Sequence, residues 1–219
     1  MSADSILAAG AQALQLDLPA QARQKLLAYV ALLHKWNQVY NLTAVREPQE
    51  MLSHHVLDSL AVVSHIRGTR ILDVGSGGGL PGIPLAIACP NATVTLLDSS
   101  HKKTTFLRQA VIELDLQNVE VVCERLEAWK TTRVFDVVIS RAFAELQQFV
   151  AAAAPLCAST GMLAAMKGVH PYEELAQLPA GYEVREVVPL IVPGLRARRH
   201  LVLIGHCVRH EQENTWPAS

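Results

Sequence analysis

Cysteine is scarce in this chain. The four among 219 residues, Cys89, Cys123, Cys157 and Cys207, lie far apart and form no Cys-x-x-Cys pair. That excludes a disulfide framework or a zinc site as an organising feature, and a reducing cytoplasm is the simplest setting. A positive excess is also missing: the net charge is −1 and the pI is about 6.7. Domains that hold nucleic acid by bulk electrostatics are usually far more basic, so any such contact must come from a local patch. No apolar run is long enough to span a bilayer; the longest, around Phe149 to Ala158, contains Pro155. The stretch Met1 to Leu18 lacks a basic n-region and carries Asp4 and Asp17, which argues against a signal peptide. Internal repeats and low-complexity segments are absent too.

What is present suits a globular chain. Half the residues are hydrophobic and 18% are charged, enough to bury a sizeable core in one α/β domain with a modest extension. Residues 1–67 read as a helical extension. Leu26, Leu27, Val30, Leu33 and Trp36 keep a helical stripe after Pro19. A second stripe, Met51, Leu52, Val56, Leu57, Leu60 and Val63, follows Pro48, with a loop between Tyr40 and Glu47. From residue 68 to 209 short β-rich runs alternate with helical ones. Strands are expected at Arg70–Val74, Thr93–Asp98, Val119–Cys123, Phe135–Ser140 and Met162–Met166. Helices are expected at Pro81–Ala88, Lys102–Leu114, Glu145–Leu156 and Tyr172–Leu178. Such alternation predicts a parallel, doubly wound sheet, closed by a hairpin of Val184–Val192 and His200–Gly205. Residues 210–219 read as a polar tail.

The strongest signal is Asp73-Val74-Gly75-Ser76-Gly77-Gly78-Gly79-Leu80-Pro81-Gly82, between a strand and a helix. Glycines there let a ligand approach the backbone closely, and the first amides of the helix can face an anion. The dinucleotide pattern G-x-G-x-x-G would need glycine where Leu80 stands. The spacing is instead D-x-G-x-G-x-G, and an acid two residues before the first glycine suits the ammonium of S-adenosylmethionine better than a pyrophosphate. Asp98, at the end of the second strand, is placed for ribose hydroxyls. The expected fold is therefore a Rossmann-like class I S-adenosylmethionine-dependent methyltransferase: a mostly parallel seven-stranded sheet with an antiparallel final strand. After the third strand, Leu126 is expected to pack on the adenine and Glu127 to lie beside its amine, with a solvated helix start as the alternative for Glu127.

Ser140 and Arg141 end the fourth strand and should face the methyl group. The Asn/Asp-Pro-Pro-aromatic turn usual in amino-methylating enzymes of this fold is missing here, and no cysteine nucleophile of the kind pyrimidine carbon-5 chemistry needs is near. Guanine N7 requires neither, because its in-plane lone pair is already nucleophilic. Arg141 is read as a fork for the cofactor carboxylate or a substrate phosphate, or, less functionally, as a surface partner of Asp136 or Glu145.

These segments together resemble the bacterial 16S rRNA guanine-N7 methyltransferase family, also called the glucose-inhibited division protein B family. The resemblance rests on Leu33-His34-Lys35-Trp36-Asn37, Asn41-Leu42-Thr43, His55-Val56-Leu57-Asp58-Ser59, Asp73 to Ile87 and Leu96-Leu97-Asp98-Ser99 with Lys102. It continues in Phe106-Leu107-Arg108, Ser140-Arg141-Ala142-Phe143-Ala144, Lys167-Gly168, Val192-Pro193 and Arg199-His200-Leu201-Val202, covering about residues 20 to 205. It implies a cytoplasmic enzyme acting on the 16S rRNA loop near the decoding site, with cofactor contacts at Gly75, Leu80, Leu126, Glu127 and Arg141. Gly78 departs from the proline of some relatives, which alters loop stiffness more than chemistry.

Arg196, Arg198, Arg199 and His200 form the one dense basic cluster, near Lys167. Beside the resemblance, Lys167 and Arg199 are expected to meet RNA phosphates near Arg141, although for a charge run taken alone a solvated turn is the favoured reading. His55 and Ser59 share a helix face with Asp58 close by. Their simpler reading is a polar network tying the N-terminal helices to the glycine loop; a substrate-pocket role is the other. The Leu33–Trp36 stripe is read as core rather than a base-stacking platform. The expected partner is 16S rRNA, the small subunit or an assembly intermediate, met by a monomer without metal or membrane. Rival readings are a methyltransferase for a non-RNA substrate, a non-catalytic ribosome assembly factor and a nicotinamide-dependent oxidoreductase.

Overall fold

The computed structural model describes residues 2–143 and 145–207; the expected polar tail, 210–219, lies outside them. Helix α1 (Ala3–Ala13) is capped by the Ser2 hydroxyl, which accepts from Ser5 N–H, and α2 (Ala20–Tyr40) ends on Asn41 in the left-handed region. The stripe after Pro48 is not one regular helix. It runs as α3 (Pro48–Met51), a π-turn over Leu52–Leu57 and α4 (Asp58–Leu60). Apolar spacing cannot separate a π-turn from α-helix, because both keep one face inward.

Seven strands form one sheet of order β3-β2-β1-β4-β5-β7-β6. They are β1 (Arg70–Val74), β2 (Thr93–Leu97), β3 (Val119–Val122), β4 (Phe135–Ser140), β5 (Cys157–Lys167), β6 (Tyr182–Leu190) and β7 (Arg199–His206). The first five pair in parallel, and β7 inserts antiparallel between β5 and β6. Strands β1, β2 and β4 are buried at almost every position because helices cover both faces. β5 starts five residues before the expected Met162. Its first half carries the polar Ser159, Thr160 and Gly161 and meets β4 through a register shift between Phe135 and Val137, so it shows no strand period.

The crossover helices are α5 (Gly82–Ala88), α6 (His101–Glu113) and α7 (Leu146–Ala153), with a short α8 (Tyr172–Leu175) before β6. Between β3 and β4 there is only a 3-10 turn, Leu126–Ala128. One core cluster joins Leu7, Leu26, Leu33 and Leu57 to Ile71, Leu96 and Ile139, so the N-terminal helices pack directly on one sheet face. Leu7, Leu26 and Leu33 are each 0% exposed, and burial of such a side chain contributes about 1.5–3 kcal/mol. Leu33 belongs to this core, while Trp36 at its edge stacks on Tyr40 with centroids 5.1 Å apart.

Candidate active site

The glycine loop is held by two buried acids. Asp73 is 0% exposed, and its Oδ2 accepts the Gly82 N–H at 2.9 Å, tethering the start of α5 to the end of β1. Its Oδ1 has no hydrogen-bond partner, and burial pushes the carboxyl up to about 7. Asp73, expected to pair with a ligand ammonium, lies beneath the loop and does not line the cleft at the carboxyl ends of the strands. Asp98 does reach the cleft. Its Oδ2 accepts Gly77 N–H at 2.9 Å and its Oδ1 accepts Ser100 N–H at 2.9 Å, which leaves lone pairs for further donors. Gly75 adopts φ +71, and a Cβ there would stand 2.9 Å from that of Ala142. Only glycine lets the loop and the turn after β4 approach so closely.

A cleft of about 330 Å³ opens at the carboxyl ends of β1, β2 and β3, lined by Gly75, Asp98, Leu126, Glu127, Ala142 and Phe143 among others. Four expected cofactor residues, Gly75, Asp98, Leu126 and Glu127, therefore share one cavity. Gly77 and Leu80 do not line it: Gly77 donates to Asp98, and the Leu80 side chain is 4% exposed within the core. The groups present fit a nucleoside: a carboxylate, Asp98, beside an apolar shelf of Val74, Leu97, Leu126 and Phe143.

Arg141 points the other way. A second cavity of about 360 Å³ is lined by Thr43, His55, Asp58, Arg141, Lys167 and Arg199 among others. The three cations expected to act on substrate are thus brought together, around a carboxylate whose partners the sequence did not reveal. Asp58 is 1% exposed; Oδ1 accepts Arg199 Nε at 3.0 Å and Oδ2 lies 3.4 Å from Arg141 Nη1. Two guanidiniums share one carboxylate, leaving local positive charge in a chain that is slightly acidic overall. Lys167 Nζ lies 2.8 Å from Glu174, which also accepts the Leu146 N–H. The alternative partners for Arg141 are excluded for Asp136, which pairs with Arg70 at the opposite edge of the sheet.

His55 joins this cavity as a neutral base. Burial and the nearby Arg141 push it down to about 4. With Nδ1–H donated to the His54 carbonyl, Nε2 accepts the Thr43 hydroxyl at 2.7 Å. Asn37 fixes that loop, accepting Thr43 N–H and donating to the Val45 carbonyl. The expected network exists, but it ties the N-terminal segment to the β4 turn and β7 rather than to the glycine loop. The link to the glycine loop is Tyr29, whose hydroxyl donates to the Gly78 carbonyl at 2.5 Å. A phenol inside an apolar helical stripe must find a partner, and that was the available signal.

The sheet order, the glycine loop after β1 and the acid after β2 define the class I S-adenosylmethionine-dependent methyltransferase fold. The glycopeptide N-methyltransferase MtfA, solved with S-adenosyl-L-homocysteine, shares it at TM-score 0.61 and 11% identity over 69% of this chain and 87% of that one. The family model described as rRNA small subunit methyltransferase G (GidB) matches residues 22–202. The chain is 60% identical over 199 residues to Ribosomal RNA small subunit methyltransferase G of Laribacter hongkongensis, covering 91% of this chain and 96% of that protein. It is 57% identical to the protein of that name from Chromobacterium violaceum, covering 88% and 93%. The chain belongs to the rRNA small subunit methyltransferase G family and is a methyltransferase.

Proposed function

We propose that this enzyme transfers the methyl group of S-adenosylmethionine to N7 of a guanine in 16S rRNA, in the loop near the decoding site, and that it works in the cytoplasm. The observation that carries the reading is the shared wall. Ala142 and Phe143 line the nucleoside-shaped cleft, and their neighbour Arg141 lines the basic cavity. Donor and acceptor sites so divided by one turn suit a direct transfer.

S-adenosylmethionine, when bound, supplies an activated methyl group on a sulfonium. Asp98 would accept its ribose hydroxyls, Leu126 would pack on the adenine and Glu127 would meet the amine, while Gly75 would leave room for the chain. On the other side Lys167 and Arg199 neutralise phosphates, and Arg141 orients the reacting partners. N7 carries no proton, so no general base is required, and the Nε2 lone pair of His55 is already engaged by the Thr43 hydroxyl. Orientation then supplies most of the rate. No helix among the described residues is long and apolar enough to cross a membrane.

The test is transfer of labelled methyl from S-adenosylmethionine to purified small subunits and to protein-free 16S rRNA, with the product mapped at nucleotide resolution. Label at guanine N7 is the expected result. Tight subunit binding without transfer would instead mark an assembly factor.

A further inference from the structure

We infer that Tyr172, backed by His170, is a stacking platform for an unpaired base of the RNA strand beside the methylated nucleotide, an inference that rests on RNA being the substrate. The two rings stack with centroids 3.8 Å apart and an interplanar angle of 27°. His170 is held in turn by the edge of His200, 5.2 Å away at 80°. Tyr172 nevertheless remains 75% exposed. A ring fixed on one side and open on the other has little rotamer freedom left to lose, so a base stacking on it meets a preorganised surface.

The position suits a flanking nucleotide. Gly168, two residues before His170, lines the basic cavity with Lys167 and Arg199. His200 follows Arg199 and is paired in register with Lys167 across β5 and β7. The ring stack therefore begins where the cations of the cavity end. Three of the seven exposed large hydrophobics among the described residues, Val169, Tyr172 and Ile191, fall in the two connections β5 to β6 and β6 to β7.

Charge orients the strand. Glu174 is engaged by Lys167, while Glu173 on the same short helix is exposed and repels a phosphate. Arg196 and Arg198 stand exposed in the β6–β7 connection. A base on Tyr172 with its backbone toward the arginines satisfies both. Burial and the neighbouring His170 and Arg198 hold His200 below the usual imidazole range, so its ring adds no charge at neutral pH.

The experiment measures dissociation constants for a protein-free RNA fragment carrying the target loop and for small subunits, together with KM and kcat for transfer. Tyr172→Ala is expected to raise both the RNA dissociation constant and the RNA KM by roughly fivefold or more, the loss of one base–aromatic stack. Turnover at saturating RNA should change far less. Tyr172→Phe, which keeps the ring, should recover the affinity. Unchanged affinity in Tyr172→Ala beside a wild type that methylates RNA overturns the platform alone. Loss confined to subunits, with the free fragment bound normally, overturns it in favour of a protein contact. A Phe variant as weak as Ala overturns stacking in favour of the hydroxyl. A wild type that binds neither RNA overturns the substrate reading, and the platform with it.

Discussion

Asp58 and Arg199 are 141 residues apart in sequence and 3.0 Å apart in space. The same carboxylate faces Arg141 at 3.4 Å, so one buried acid sets the position of two cations in the substrate cavity. Asp58→Asn preserves the shape and removes the charge. The guanidiniums then repel without a counter-ion, and their placement loosens while the cavity becomes more positive. Turnover at saturating RNA is expected to fall about tenfold, near 1.4 kcal/mol, while RNA affinity at low salt holds or rises. Steady-state kinetics beside filter binding reads that split. Rate and affinity falling in step would mean collapse of the site instead.

Asp73 should make stability depend on pH. Its carboxyl is raised from 3.8 to about 7 by burial. A group raised on folding binds its proton more tightly in the native state. Its contribution is therefore fully present below about pH 4 and lost as pH rises through about 7. The loss is up to about 4 kcal/mol, from roughly 1.4 kcal/mol per pH unit. Asp73→Asn, whose amide oxygen can still accept the Gly82 N–H, should flatten this slope. Urea unfolding from pH 4 to 8 measures it, and parallel profiles for wild type and variant would refute the assignment.

Gly75 and Gly77 should differ in how they fail. Both hold positive φ, +71 and +57, but a Cβ on Gly75 meets that of Ala142 at 2.9 Å whereas one on Gly77 finds its nearest neighbour at 3.8 Å. Alanine at either position carries left-handed strain of about 1–2 kcal/mol. Gly75→Ala also pushes the turn between the two cavities. Cofactor affinity by calorimetry should weaken more for Gly75→Ala than for Gly77→Ala, and Ala142→Gly should recover part of the first loss and none of the second. Gly77→Val, β-branched at a left-handed position, is expected to weaken binding at least about tenfold. Additive effects of Gly75→Ala and Ala142→Gly would remove the collision from the account.

The three cations of the substrate cavity should separate in kinetics. Lys167→Ala and Arg199→Ala are expected to weaken RNA binding and to reduce its salt slope by up to about one charge-equivalent each. A side chain that keeps its carboxylate partner when RNA is bound releases fewer counter-ions, so both changes should stay below one full charge: Arg199 is paired with Asp58 and Lys167 with Glu174. Arg141→Ala should leave RNA affinity closer to wild type and lower the single-turnover rate. Single-turnover methylation at several salt concentrations reads both. Equal loss of RNA binding in all three, with normal single-turnover rates, would make Arg141 another phosphate contact.

Much of this molecule is legible in one dimension. Asp73 to Gly82 between a strand and a helix, Asp98 at the next strand end and the apolar runs of β1 and β4 are local patterns, and local geometry determines what they form. Leu126 and Glu127 could be placed in the cleft because a parallel sheet brings the carboxyl ends of its strands to one edge. The remainder depended on contacts that no spacing encodes. Asp58 reads as one polar position on a helix until β4 and β7 bring two arginines to it from 83 and 141 residues away. Nor does spacing show that α5 closes over Asp73 and leaves it buried against Gly82. Tyr29 shows no partner in sequence until the glycine loop arrives above its hydroxyl. Sequence determined which elements form and which chemistry they carry, because propensity and periodicity act between near neighbours. Tertiary structure decided which charges meet and which face the cavity, because burial and pairing are set by the whole fold.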